Sequence, residues 1–146
     1  MPVRSRLAVY AILGALWLSG CAWLVLNQFF ESKGPFGVTP HPWEGAILTL
    51  HGILAIMSMY LFGWLTARHL LVRWPERSRR LSGATLAASF VVLAVSGFAL
   101  FFVSGDRWQR PAALAHDVLG LGILALAIQH WFFVSLRDMR SAASRP

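Results

Sequence analysis

The stretch AALAHDVLGLGILALAIQHWFFVSL, residues Ala112–Leu136, decides the fold of this chain. It holds one acidic residue, Asp117, and no Lys or Arg. About 20 helical residues cross a hydrocarbon core of about 30 Å. Lipid offers no water to an open backbone, so a segment of this kind must satisfy its amides internally, as a helix. Two histidines, His116 and His130, stand inside it. Ionisable groups are costly in a membrane span, and spans that carry them generally use them.

Outward from that stretch, three more apolar runs have spanning length: Leu7–Asn27, Trp43–Leu71 and Leu81–Ser104. The connections fall at Gln28–Pro42, Val72–Arg80 and Gly105–Pro111. Gly34-Pro35, Thr39-Pro40 and Trp74-Pro75 mark loops. Pro42 and Pro111 stand where a helix begins, a place that tolerates proline's fixed φ and missing N–H. No alternating ten-residue pattern points to a β-barrel. The expected fold is all-α, a single domain over 1–146. It is a four-helix transmembrane bundle running up-down-up-down.

Composition agrees. Hydrophobic residues make up 57% of the chain and charged residues 13%, against roughly 25% charged in soluble domains. All six acidic residues lie near the ends of the apolar runs or outside them, which argues against an acid-driven proton or cation carrier. The net charge of +7 forms no basic stripe with interleaved aromatics, so nucleic acid is not an expected partner. The charge reads as topology. Arg4, Arg6, Arg68, Arg73, Arg77, Arg79, Arg80, Arg137, Arg140 and Arg145 gather on one side. Lys33, Arg107 and Arg110 fall on the other. Both termini and the middle loop are therefore expected to be cytoplasmic, in a multi-pass protein of a bacterial inner membrane. Lipid is the first expected partner.

Cys21 is the lone cysteine, and no C-x-x-C-H occurs. Disulfide chemistry and covalent haem attachment are thereby excluded. Leu18-Ser19-Gly20-Cys21 matches a lipoprotein cleavage box, but Ala22-Trp23-Leu24-Val25-Leu26 continues the apolar run after it. A signal peptide gives way to polar sequence there, so the first span is expected to be retained. Leu18-Ser19-Gly20 also echoes Val95-Ser96-Gly97. Each precedes an outer loop and then a histidine-bearing span, a faint repeat of two helical hairpins.

The histidines fall into two pairs. His51 and His69 are 18 residues apart, five turns of an α-helix; His116 and His130 are 14 apart, just under four turns. Each pair is expected to share a helix face. Both spans run from outside to inside, so depth matches His51 with His116 and His69 with His130. The rises are about 27 Å and about 21 Å, a difference that tilt absorbs. Haem iron takes an imidazole on each face, and facing helices of a bundle supply them. His51, His116, His69 and His130 are thus the candidate metal ligands for two non-covalent b-type haems.

A ligating imidazole also holds its second N–H on an acceptor. The carbonyls of Ile47, Leu65, Ala112 and Leu126, four residues back, are expected in that role. Gly20 and Gly97 are expected to leave room for a macrocycle, with Gly52, Gly120 and Gly122 flanking the outer ligands. Ordinary close helix packing explains the same glycines equally well. Arg68 and Arg73 read either as partners of haem propionates or as part of the positive-inside bias. Trp64, Trp74 and Trp131 read as interfacial belt residues. His41, in Thr39-Pro40-His41-Pro42-Trp43-Glu44, reads as a polar residue at a helix start; a proton acceptor at a quinol site is the sharper alternative.

With these pieces in view, the chain resembles the four-helix membrane cytochromes b. That family includes the bacterial cytochrome b-561 type and the membrane subunits of formate dehydrogenases and nickel–iron hydrogenases. The resemblance rests on Leu50-His51-Gly52, Ser96-Gly97, Ala115-His116 with Gly120, and Gln129-His130, and it runs from about Leu7 to about Leu136. It implies haem b bound by His51, His116 and His130, with His69 completing the set. It further implies electron exchange between the quinone pool and a separate redox partner, such as a c-type cytochrome or a dehydrogenase. Three other functions stay open from the sequence. They are a single-haem or haem-free anchor subunit of a larger oxidoreductase, a small membrane transporter, and a structural subunit whose histidines bond between helices.

Overall fold

Leu, Ala, Ile and Val run through most of this chain without interior carboxylates, and where they do, the backbone closes into helices. The structure is a computed structural model that describes residues 3–30, 32–35, 37–73, 80–103 and 105–143. Helix α1 is Val3–Phe29. A small hairpin follows, β1 Ser32–Gly34 and β2 Gly37–Thr39. Helix α2 is Glu44–Leu65, continued by a π-helical turn at Thr66–Leu70 and a short α3 at Leu71–Arg73. Helix α4 is Arg80–Phe102 and α5 is Asp106–Ala143. The all-α class and its four long helices are as expected. Four segments, Ser5–Phe29, Glu44–Leu70, Arg80–Phe102 and Arg107–Phe132, are long and apolar enough to cross a membrane.

Three local features differ from the sequence reading. The first connection is not irregular throughout: Ser32 pairs with Thr39, Lys33 with Val38 and Gly34 with Gly37, antiparallel. Gly37 turns that hairpin with φ of 114°, a conformation that glycine adopts without a Cβ clash. The expected loop Gly105–Pro111 is mostly helix, because α5 begins at Asp106 and takes Pro111 into its second turn. A proline so close to the N-terminus forfeits only one ladder bond. The third difference is the π turn at Thr66–Leu70 inside the second span. Trp74, Arg77, Arg79 and Arg145, which entered the loop and topology readings, lie outside the described residues.

The packing is that of a chain whose solvent is lipid. The buried residues among those described are mostly small and polar: Ser19, Ser58, Ser89 and Ser96, with Glu44 and Val9. Large apolar side chains point outward, Leu81 at 85% exposure and Tyr60 at 79%. Hydrophobic burial cannot drive helices together where the solvent is itself apolar, so small residues at the contacts let backbones approach. Buried and half-buried positions recur at seven-residue spacing: Glu44, His51 and Ser58 on α2, and Ser82, Ser89 and Ser96 on α4, with His51 and Ser82 the half-buried ones. A repeat near 3.5 residues per turn keeps one seam against a neighbouring helix.

The chain forms two compact units, Met1–Trp64 and Leu65–Pro146. The first contains α1, the β-hairpin and most of α2, which returns alongside α1. The second contains the π turn, α3, and α4 packed antiparallel on α5. The unit boundary falls inside the second span, one residue before the π turn begins to form.

Candidate functional site

In the first unit, α1 presents Leu16, Ser19 and Gly20 to His51 of α2. Ser19 Oγ donates to the Leu16 carbonyl at 2.8 Å. His51 Nδ1 lies 3.0 Å from Ser19 Oγ and 3.1 Å from the Leu16 carbonyl oxygen. A carbonyl can only accept, and the serine proton is already committed to it. Nδ1 therefore carries the hydrogen and donates to both oxygens. The neutral imidazole then has its lone pair on Nε2, across the ring from the anchor. A Cβ built on Gly20 would lie 3.0 Å from His51 Cε1, so the bare glycine is the seat against which the ring rests.

The second unit repeats the arrangement with different residues. Ser96 Oγ donates to the Leu93 carbonyl at 3.2 Å and lies 3.0 Å from His116 Nδ1. His116 is also hydrogen-bonded to the Leu93 backbone. A Cβ on Gly97 would lie 3.0 Å from His116 Cε1. Leu16-x-x-Ser19-Gly20 against His51 and Leu93-x-x-Ser96-Gly97 against His116 are the same cluster, in each case a histidine bonded to a serine and to the backbone of the leucine three residues before it.

A third, looser copy sits further along the same helix pair. Ser82 Oγ lies 3.1 Å from His130 Nδ1, and a Cβ on Gly83 would lie 3.7 Å from His130 Cε1 and 4.0 Å from Leu70 Cδ1. Leu70 closes the π turn that contains His69, so the chain beside His69 reaches the level of His130 within one unit.

His69 itself departs from the expectation in two respects. His51, His116 and His130 are half-buried, whereas His69 is exposed. It also stands in the π turn, whose wider i→i+5 winding advances each residue by less than an α-helix does. Eighteen residues from His51 are then no longer five whole turns, and the shared-face argument fails for this pair. The 14-residue pair on α5 meets no such interruption, and both its histidines face α4.

The expected i−4 carbonyl acceptors are corrected for three of the four histidines. His51, His116 and His130 take their Nδ1 partners from the neighbouring helix, not from Ile47, Ala112 or Leu126. An i−4 carbonyl is already the acceptor of a helix bond and lies along the axis, whereas the seam residues face across it. The glycines sort differently too. Gly20 and Gly97 seat imidazole rings, while Gly52 and Gly122 have nothing within 4 Å of a built Cβ. Gly120 meets only Leu93 Cδ2, at 3.8 Å. The serines Ser19, Ser82 and Ser96 carry the orientation of the site. The signal for them was in the sequence, since each is followed by glycine, and three of the four Ser-Gly pairs lie inside helices.

His41 behaves as a residue of a helix start. Its Nδ1 accepts from the Trp43 backbone N–H at 3.3 Å, and its ring meets Phe30 edge-on at 6.2 Å. Arg68 is exposed, and so is Trp131 at 61%. Among the described residues no group of three His, Cys, Asp or Glu side chains converges for a metal. A site built on two imidazoles does not require one. No protein-family model matches the chain, and no curated protein or solved structure does. The class that fold and packing define is a multi-pass membrane protein with anchored histidines inside its helix pairs.

Proposed function

We propose that this protein is a membrane electron carrier of the cytochrome b type that binds two non-covalent b-type haems. The supporting observation is the repeated cluster: in each unit a half-buried histidine is held by Nδ1 on a serine hydroxyl and a carbonyl of the neighbouring helix. That is the tautomer a metal-ligating imidazole needs, with the second N–H fixed by an acceptor. Sequence depth pairs His51 with His116 as outer ligands and His69 with His130 as inner ones. Haem supplies one-electron chemistry when bound. The protein holds and orients the imidazoles and keeps water away with lipid-facing apolar side chains. Electrons would pass between membrane quinone or quinol and a separate redox partner, such as a c-type cytochrome or a dehydrogenase, at a bacterial inner membrane.

The exposure and π-turn setting of His69 favour a second reading, in which the chain holds one haem on His51 and His116. Haem quantified per chain in the purified, dithionite-reduced protein separates the two. Two b-type haems per chain are expected, and a His51→Ala variant should lose one of them. Protein made with ample haem supply that shows no b-type α or Soret band would overturn the reading altogether.

A further inference from the structure

We infer that Ser19 and Ser96 are positioning residues of the two outer histidines: as second acceptors beside a carbonyl they hold each ring by Nδ1 and set the electron donation of each imidazole. The inference rests on the haem reading above and deepens it. Each serine occupies one point of a closed three-atom arrangement. Its hydroxyl proton goes to the carbonyl three residues back, Leu16 at 2.8 Å or Leu93 at 3.2 Å. Its oxygen then has only lone pairs to offer, and the histidine Nδ1 stands 3.0 Å away in both units. A serine so committed cannot act as donor to the ring, so it excludes the tautomer with hydrogen on Nε2. A free serine rotor would allow either tautomer; the carbonyl at i−3 removes the choice.

Two acceptors on one N–H also strengthen the basicity of the imidazole. Gly20 and Gly97 complete the device, since a Cβ at 3.0 Å from Cε1 would require the ring to give by a few tenths of an ångström against its oxygens. The serines touch neither haem nor substrate in this scheme. They act through the histidines.

The test uses Ser19→Ala and Ser96→Ala, with Ser19→Thr and Ser96→Thr as conservative counterparts, in full-length protein in detergent. The tautomer is read first without haem. Nitrogen-15 NMR of histidine-labelled apoprotein should show His51 and His116 protonated on Nδ1 in the parent and in the Thr variants. In each Ala variant Nδ1 should keep its hydrogen on the remaining carbonyl, with its nitrogen-15 shift moved toward that of a more weakly hydrogen-bonded N–H. Haem-loaded protein is then titrated. Each Ala variant should bind haem about 10- to 100-fold more weakly, the usual effect of losing the residue behind a ligand. The outer haem's midpoint potential should rise, because a less basic imidazole favours the oxidised iron less. The Thr variants should restore both. Ala variants with an unchanged Nδ1 shift and unchanged potential would overturn the inference. Parent apoprotein with hydrogen on Nε2 would do so as well. Failure of the haem reading is distinguishable, since it shows as absent haem in the parent while the apoprotein NMR still reports on the serines.

Discussion

A glycine and a serine next to each other cost a helix stability, since both rank well below Ala and Leu as helix formers. Their position in this chain therefore calls for a reason, and the histidine rings supply it. Gly97→Ala is expected to displace His116, because its new Cβ would stand 3.0 Å from Cε1 on a ring held by oxygens behind it. The variant should lose a haem or show a broadened, shifted low-spin EPR signal for the outer site. Gly14→Ala is the matched control: nothing lies within 4 Å of its Cβ, and the higher helix propensity of Ala should leave stability equal or up to about 1 kcal/mol higher. Thermal melts of the two variants in one detergent give the comparison. The histidines were legible in the sequence because an imidazole in lipid is anomalous. The serines were legible only as Ser-Gly pairs, because a serine in a span satisfies itself on its own helix, and only the geometry shows that three of them also meet a ring across the seam.

At the scale of elements, the long apolar runs translated directly into helices, since lipid leaves the backbone no alternative. What the sequence hid was the winding within one of them. Nothing in Thr66-Ala67-Arg68-His69-Leu70 announces a π turn, which depends on how the turn packs and not on local propensity. Such turns are frequent at functional sites because they re-aim a side chain. If His69 ligates from this turn, deleting Ala67 should return the segment to α-helix and swing His69 away. Haem content should fall from two per chain to one, with the His51–His116 signature kept. Retention of both haems would show that the inner site does not depend on His69. The seam makes a separate prediction. Ser58 stands at 2% exposure, seven residues beyond His51 on α2. Ser58→Leu would force a large side chain between α2 and its neighbour and is expected to destabilise the first unit by about 1–3 kcal/mol. The measurement is a lowered melting temperature, with the second unit's histidines unaffected by NMR.

For the whole molecule the decisive quantity is orientation, because it decides which pair of histidines faces which compartment. In the first unit the β-hairpin stands at the His51 end of its helices, and in the second the α4–α5 turn stands at the His116 end of its own. The arginine bias predicts that those ends face outward, since Arg6, Arg68 and Arg80 stand at the opposite ends of their helices. Cysteine labelling tests this in one experiment, because Cys21 is the chain's only thiol and Cys21→Ser gives a silent background. A cysteine introduced at Pro35, in the exposed turn of the hairpin, should react with a membrane-impermeant maleimide in intact spheroplasts. One introduced at Arg140 should react only after the membrane is opened. The opposite pattern would leave the clusters of Ser19 and Ser96 as they are but turn them to the cytoplasm. The better-anchored histidines would then serve the inner compartment, and a periplasmic c-type cytochrome would have only His130 and the π turn to face. Orientation therefore carries more of the electron-transfer argument than any single contact. The expected orientation rests on about ten charges that sit outside the apolar core, while the proposed site rests on three hydroxyls within it.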